Sequence, residues 1–135
     1  MDKDNCIIYI GASFTIEWYY RRDGRSQAYE HFLKLGNDQR RKFFILIKRL
    51  GDAGRINDTT KFRYEGDKIY ALKPQPDRFL CFFFKGRKVI VTNAFTKHSQ
   101  KLPVREKQRS IECKMDYENR MEEIKDENDI WQVHH

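Results

Sequence analysis

The sequence predicts an α+β fold in which an N-terminal strand is followed by a helical hairpin, an antiparallel β-meander and a C-terminal helix. Three observations carry this. Apolar and polar residues alternate over Ser13–Tyr20, the apolar spacing becomes helical between Ser26 and Leu50, and it returns to an extended pattern from Lys61 to Lys97. A chain of 135 residues with 39% apolar content suits one compact domain spanning residues 1–135. Its core is expected over about residues 13–120, with 120–135 as an acidic extension.

The elements follow in order. Phe14, Ile16, Trp18 and Tyr20 share one side of the first strand. Asp23-Gly24 is a turn signal, Ser26 can cap a helix, and Ala28, Phe32 and Leu35 give that helix its apolar face before Gly36 closes it. A second helix is expected from near Asp38 to about Leu50, with Phe43, Ile47 and Leu50 as its stripe and Gly51 and Gly54 as its end. Extended segments Lys61–Glu65, Ile69–Lys73, Arg78–Phe84 and Lys88–Lys97 are separated by turns short enough for a meander. Phe79–Phe84 is almost continuously apolar, which predicts a central strand covered on both faces. The helices are expected on one face of the sheet. In the C-terminal helix Val104, Ile111 and Met115 are expected on the sheet, which leaves Tyr117, Met121 and Ile124 as a stripe for a partner or for packing against Cys6–Ile10.

Charge is uneven along the chain. Residues 1–60 sum to +3, 61–110 to +9 and 111–135 to −5. A basic middle segment is the footprint of a polyanion site, most often nucleic acid, or else a solvated lysine-rich face. Three cysteines, Cys6, Cys81 and Cys113, show no paired ligand spacing, so neither a disulfide framework nor a metal site is expected, and a cytoplasmic location fits. The run Cys6–Ile10 is far too short to span a membrane, so a soluble protein without a membrane partner is expected.

Four segments can carry chemistry. Lys73-Pro74 ends one strand and Arg78 opens the next, so a hairpin can bring a lysine and an arginine fork to one phosphate. Phe95–Pro103 contributes Lys97, His98 and Lys101 at a strand end, and Asp23–Ser26 precedes a helix. In this order, Asp23-Gly24-Arg25-Ser26, Ile69–Pro74, Asp77–Leu80, and Ala94–Lys97 through Gln100–Pro103 resemble the HigB-like, phage-derived branch of the RelE/ParE toxin superfamily. That resemblance covers residues 13 to about 120 and implies a RelE-like fold. It also implies a toxin neutralised by a cognate antitoxin, expected to be a helix-turn-helix protein, that cleaves mRNA on the ribosome. Many relatives carry a lysine or arginine where this chain has His98.

Such cleavage needs no metal or cofactor. The RNA 2′-hydroxyl can attack the adjacent phosphorus if a base takes its proton, cations hold the phosphorane charge and an acid protonates the leaving 5′-oxygen. Arg78 is the expected phosphate clamp, and Lys73 and Lys97 share the charge stabilisation. His98 can act as acid or base. Arg63 and Lys101 are expected to contact RNA backbone. The bland alternatives are a strand-end ion pair of Arg78 with Glu65 or Asp67, a solvated His98, and solubilising lysines. Functional alternatives are a ParE-like toxin acting on DNA gyrase without nuclease chemistry, and a plain nucleic-acid-binding module.

Overall fold

The computed structural model describes residues 3–98 and 101–134, with side chains over 5–98 and 101–128. A short 3₁₀ turn, Lys3–Cys6, leads into β1 (Ile7–Ile10) and β2 (Thr15–Trp18). Helices α1 (Gln27–Leu33) and α2 (Asn37–Ala53) follow, then β3 (Phe62–Tyr64), β4 (Tyr70–Leu72), β5 (Asp77–Phe84), β6 (Lys88–Thr96) and α3 (Val104–His134). The α+β class predicted from sequence is therefore observed. The strands form one sheet in the order β1-β2-β6-β5-β4-β3.

The meander β3–β6 is antiparallel throughout, and β2 joins it by pairing parallel to β6. A parallel pair needs a crossover, and the α1–α2 hairpin with the meander supplies it. The sheet is thus mixed. The run Cys6–Ile10, read from sequence only as an apolar stretch, ends in the edge strand β1 antiparallel to β2. Gly51 does not end α2, which continues to Ala53 and stops at Gly54, whose φ of 78° is the left-handed conformation that glycine adopts without steric cost. Gly11 and Gly51 instead let the β1–β2 turn and α2 approach: a Cβ built on Gly11 would lie 2.2 Å from the Gly51 carbonyl carbon, and one on Gly51 2.7 Å from the Tyr9 ring.

Two apolar layers cover the sheet. On one face Trp18, Phe32, Phe43 and Phe79 pack under α1 and α2, with Trp18 stacked on Phe43 at 5.6 Å between ring centroids. On the other, Leu80, Phe82, Ile69 and Ile90 pack under α3 with Tyr117. Alternate residues of β5 therefore serve opposite layers, which is why Phe79–Phe84 can be almost continuously apolar. The expectation that all helices share one face is corrected: α3 lies opposite α1 and α2.

The face that α3 presents also differs from expectation. Val104 is 85% and Met115 58% exposed, while Tyr117, Ile111, Cys113 and Met121 pack on the sheet. Tyr117 meets Phe82 and Phe84 edge to face, and the area an aromatic ring removes from water outweighs what Val104 and Met115 offer. Only Ile124 of the expected partner stripe stays exposed.

One irregularity in β6 decides what the far end of the sheet displays. Pairing steps from Cys81–Val91 to Leu80–Asn93, which leaves Thr92 as an extra residue. Its hydroxyl lies 3.2 Å from the Leu80 carbonyl oxygen and 2.7 Å from the Ser110 hydroxyl of α3. Before the bulge Val89 and Val91 face α1 and α2; after it Ala94 does, and Phe95 turns to the α3 side.

Candidate functional site

A cavity of about 580 Å³ opens on the α3 side of the sheet, at the end where β3, β4, β5 and β6 lie side by side. Strand alternation builds it. Arg63 pairs with Ala71 and Ala71 with Leu80, so these side chains share a face, and Arg78 with its partner Phe95 belongs to the same face two residues along. Glu65, Lys73 and Lys97, each one residue beyond the end of β3, β4 and β6, continue that parity, and Lys101 reaches in from the segment before α3. Five of the six residues proposed from sequence, Arg63, Lys73, Arg78, Lys97 and Lys101, therefore line one cavity. The Thr92 bulge is what brings in Lys97, because without it β6 would present Thr96 instead.

The two most buried cations are Arg78, 4% exposed, and Lys73, 9% exposed. Arg78 Nη1 donates to its neighbour's carbonyl, Asp77 O, at 2.9 Å, and among the described residues no carboxylate lies within ion-pair distance of its guanidinium. The two acids weighed as partners are engaged elsewhere: Glu65 lies 3.8 Å from Arg63 Nε and Asp67 2.8 Å from Lys107 Nζ. Burial lowers the pKa of Arg78 from its ordinary value, against the nearby charges of Asp77 and Glu65. Lys73 donates from Nζ to Thr59 O at 3.1 Å. Burial, and then the charge of Arg78, lowers its pKa too, with Arg63 and Lys97 adding to the effect and Glu65 opposing it. A buried arginine with most of its fork uncommitted, beside a lysine that gives up its proton more easily than usual, suits an anionic ligand that changes its protonation.

Asp77 anchors the start of β5 next to Arg78. Its buried carboxylate accepts from Gln39 Nε2 at 2.6 Å and Thr96 Oγ1 at 3.0 Å, and lies 2.8 Å from His31 Nε2. His31, beside Phe32 on α1, thereby ties α1 to β5.

His98 lies differently. It is exposed and does not line the cavity, although its neighbour Lys97 does. Ser99 and Gln100 of the same segment lie outside the described residues. Asp23-Gly24-Arg25-Ser26 forms the turn and cap predicted, with Ser26 Oγ accepting from Tyr29 N, and takes no part in the cavity. Phe95 packs beneath α3 and also lines the cavity. Glu65 is the residue that sequence reasoning missed as a site group: its side chain is 15% exposed and it is the cavity's carboxylate among the described residues. Its signal was present in the Arg63-x-Glu65 spacing, which puts both on one face of a strand.

The thiols offer no competing chemistry, since burial pushes Cys81 up to about 12 and Cys113 up to about 11. Among the described residues no group of three or more His, Cys, Asp and Glu gathers to hold a metal ion, and no helix is long and apolar enough to cross a membrane.

Comparison with known proteins adds one finding. The model of a family described as "Phage derived protein Gp49-like (DUF891)" matches residues 30–114, a span that includes α2, the whole meander and every residue named above as lining the cavity. No curated protein matches the chain.

Proposed function

Because the chain belongs to the phage-derived Gp49-like family, a toxin-like family of toxin–antitoxin systems, we propose that it is the toxin of such a pair, acting as an endoribonuclease on ribosome-bound mRNA. One observation carries this reading: five cations and one carboxylate converge on a single open cavity, with the Arg78 fork unneutralised by any described carboxylate. A solvated lysine-rich surface does not bury an arginine to 4% exposure. The reading accords with what the resemblance to the RelE/HigB branch implies.

The reaction follows from the groups present. Arg78 grips two non-bridging oxygens of the scissile phosphate, and Lys97 and Lys73 offset the charge that builds on them. Glu65 takes the proton of the 2′-hydroxyl, whose oxygen bonds to phosphorus as the bond to the 5′-oxygen breaks. Lys73, with its lowered pKa, gives its proton to that leaving oxygen. The products are a 2′,3′-cyclic phosphate and a 5′-hydroxyl end. No step needs a metal ion or a cofactor. A cell that carries such a toxin needs a cognate antitoxin to neutralise it, for which a helix-turn-helix protein is the expected kind.

The test is purified ribosomes carrying a defined message. Fragments with 5′-hydroxyl ends, formed in the presence of a chelator at Mg²⁺ levels that keep ribosomes intact, support the proposal. Intact message alongside a DNA-damage response in cells favours the gyrase-directed alternative, and retention on nucleic acid with neither effect favours a binding module.

A further inference from the structure

Beside the first cavity lies a second, of about 290 Å³, bordered by α2 and by the turn after β4. Lys73 and Gln75 line both, so the two cavities share a wall. That wall is anchored: Lys73 donates to Thr59 O at 3.1 Å and Gln75 Nε2 to Thr60 O at 3.2 Å. Lys42, Arg49 and Lys61 complete the polar lining, Ile45 and Pro74 supply apolar surface, and no described carboxylate lines it.

The charges on α2 divide according to where they point. Arg41 pairs with Asp38 at 3.6 Å and Lys48 with Asp52 at 3.1 Å. Lys42 and Arg49, which line the cavity, and Lys61 opposite them, make no ion pair with a described residue. Asp58, whose charge acts on Lys61 and Arg49, is itself occupied by the hydroxyl and N–H of Thr60. Three exposed cations around an apolar floor select an anion that also carries a flat or apolar part.

A small phosphate would fill only one of these cavities. Two cationic cavities joined through one lysine match a linear polyanion that occupies both, and the exposed Ile45 gives a nucleoside something to rest on. We propose that the second cavity is a subsite for single-stranded RNA, taking a backbone phosphate and its nucleoside from the strand whose scissile phosphate sits in the first. This rests on the reading of the first cavity as a phosphate site, and it assigns Lys42, Arg49 and Lys61 to holding the strand.

The experiment measures binding of a 2′-O-methyl hexaribonucleotide, which cannot be cleaved, and of the matching dinucleotide, by fluorescence anisotropy across a salt series. The parent should bind the longer probe at least tenfold more tightly. In the triple variant Lys42→Gln, Arg49→Gln, Lys61→Gln that gain should fall to threefold or less. The slope of log affinity against log salt should fall by about 2, as for three lost contacts to a single strand. Lys61→Gln alone, at an exposed position, should remove about a third of the slope change. A triple variant with parental circular dichroism that keeps both the length gain and the slope overturns the subsite, as does a parent with no length gain. Cleavage on ribosomes is scored separately: a parent that shows the length gain but leaves message intact sinks the endonuclease reading and leaves the subsite standing.

Discussion

His31 on α1 and Asp77 at the start of β5, 46 positions apart in sequence, meet with Nε2 2.8 Å from Oδ1. The same carboxylate receives Gln39 from α2 and Thr96 from β6, while the Asp77 carbonyl accepts from Arg78. One buried residue thus fastens four elements through its carboxylate and accepts from Arg78, the proposed phosphate clamp, through its carbonyl.

Asp77→Ala should therefore destabilise the fold by roughly 3 kcal/mol, because it leaves several buried donors without an acceptor. That corresponds to a fall in melting temperature on the order of 10 °C. His31→Gln, which keeps a donor, should cost less. Thermal melts followed by circular dichroism decide it: an Asp77→Ala protein melting within about 2 °C of the parent would remove the carboxylate from this role.

Three substitutions separate the roles around the phosphate. Arg78→Ala should lower the single-turnover cleavage rate by roughly 10²–10³, as for loss of one transition-state donor. Glu65→Gln should lower it by about 10² or more. His98→Gln should cleave at close to the parental rate, since the imidazole is exposed and outside the cavity. A His98 variant as impaired as Glu65→Gln would reverse the assignment of the base.

Lys73 gives a pH dependence. Its folded-state pKa lies below the ordinary lysine value of 10.5, so between the two the unfolded chain binds more protons than the folded one, and stability from this group rises with pH across that window. Below the folded value the buried charge is a standing cost. Lys73→Met should remove that cost and raise stability by up to about 1 kcal/mol, flatten this part of the alkaline stability profile, and reduce cleavage. If Lys73→Met melts below the parent at neutral pH, burial is not the dominant influence on this lysine.

Truncation tests the packing of α3. Arg120 stacks over Tyr19 with its Cζ 5.3 Å from the ring centroid, pairs with Asp116 at 2.8 Å and donates to the Tyr20 carbonyl, and Met121 joins the layer beneath α3. Deleting 120–135 should lower stability by about 2 kcal/mol, whereas deleting 125–135 should leave the melting temperature nearly unchanged. Equal effects of the two deletions would contradict it.

Much of this architecture was legible in the residues. Ser26, Gly54 and the continuous apolar run Phe79–Phe84 mark a cap, a stop and a central strand through local chemistry alone. The convergence of Lys73 and Arg78 was legible too, because a short turn joins their strands. What remained hidden depends on long-range competition. Which face of α3 turns inward was settled by Phe82 and Phe84 offering edges to Tyr117, and the engagement of Asp77 by residues from α1, α2 and β6 has no sequence signal at all. Glu65 was visible but was weighed only as a partner for Arg78.

The extra residue at Thr92 has a genetic consequence. Its two flanks obey opposite parities, so substitutions on either side face different constraints, and no single side chain in β6 carries the site's orientation. Loss of that codon would leave Asn93 opposite Leu80 and Phe95 opposite Arg78, so the ladder would close without a bulge and Lys97 would keep its side of the sheet. The extra residue is thus slack in the strand: an in-frame deletion of position 92 removes the Thr92–Ser110 contact with α3 yet should leave the charges of the cavity on their face.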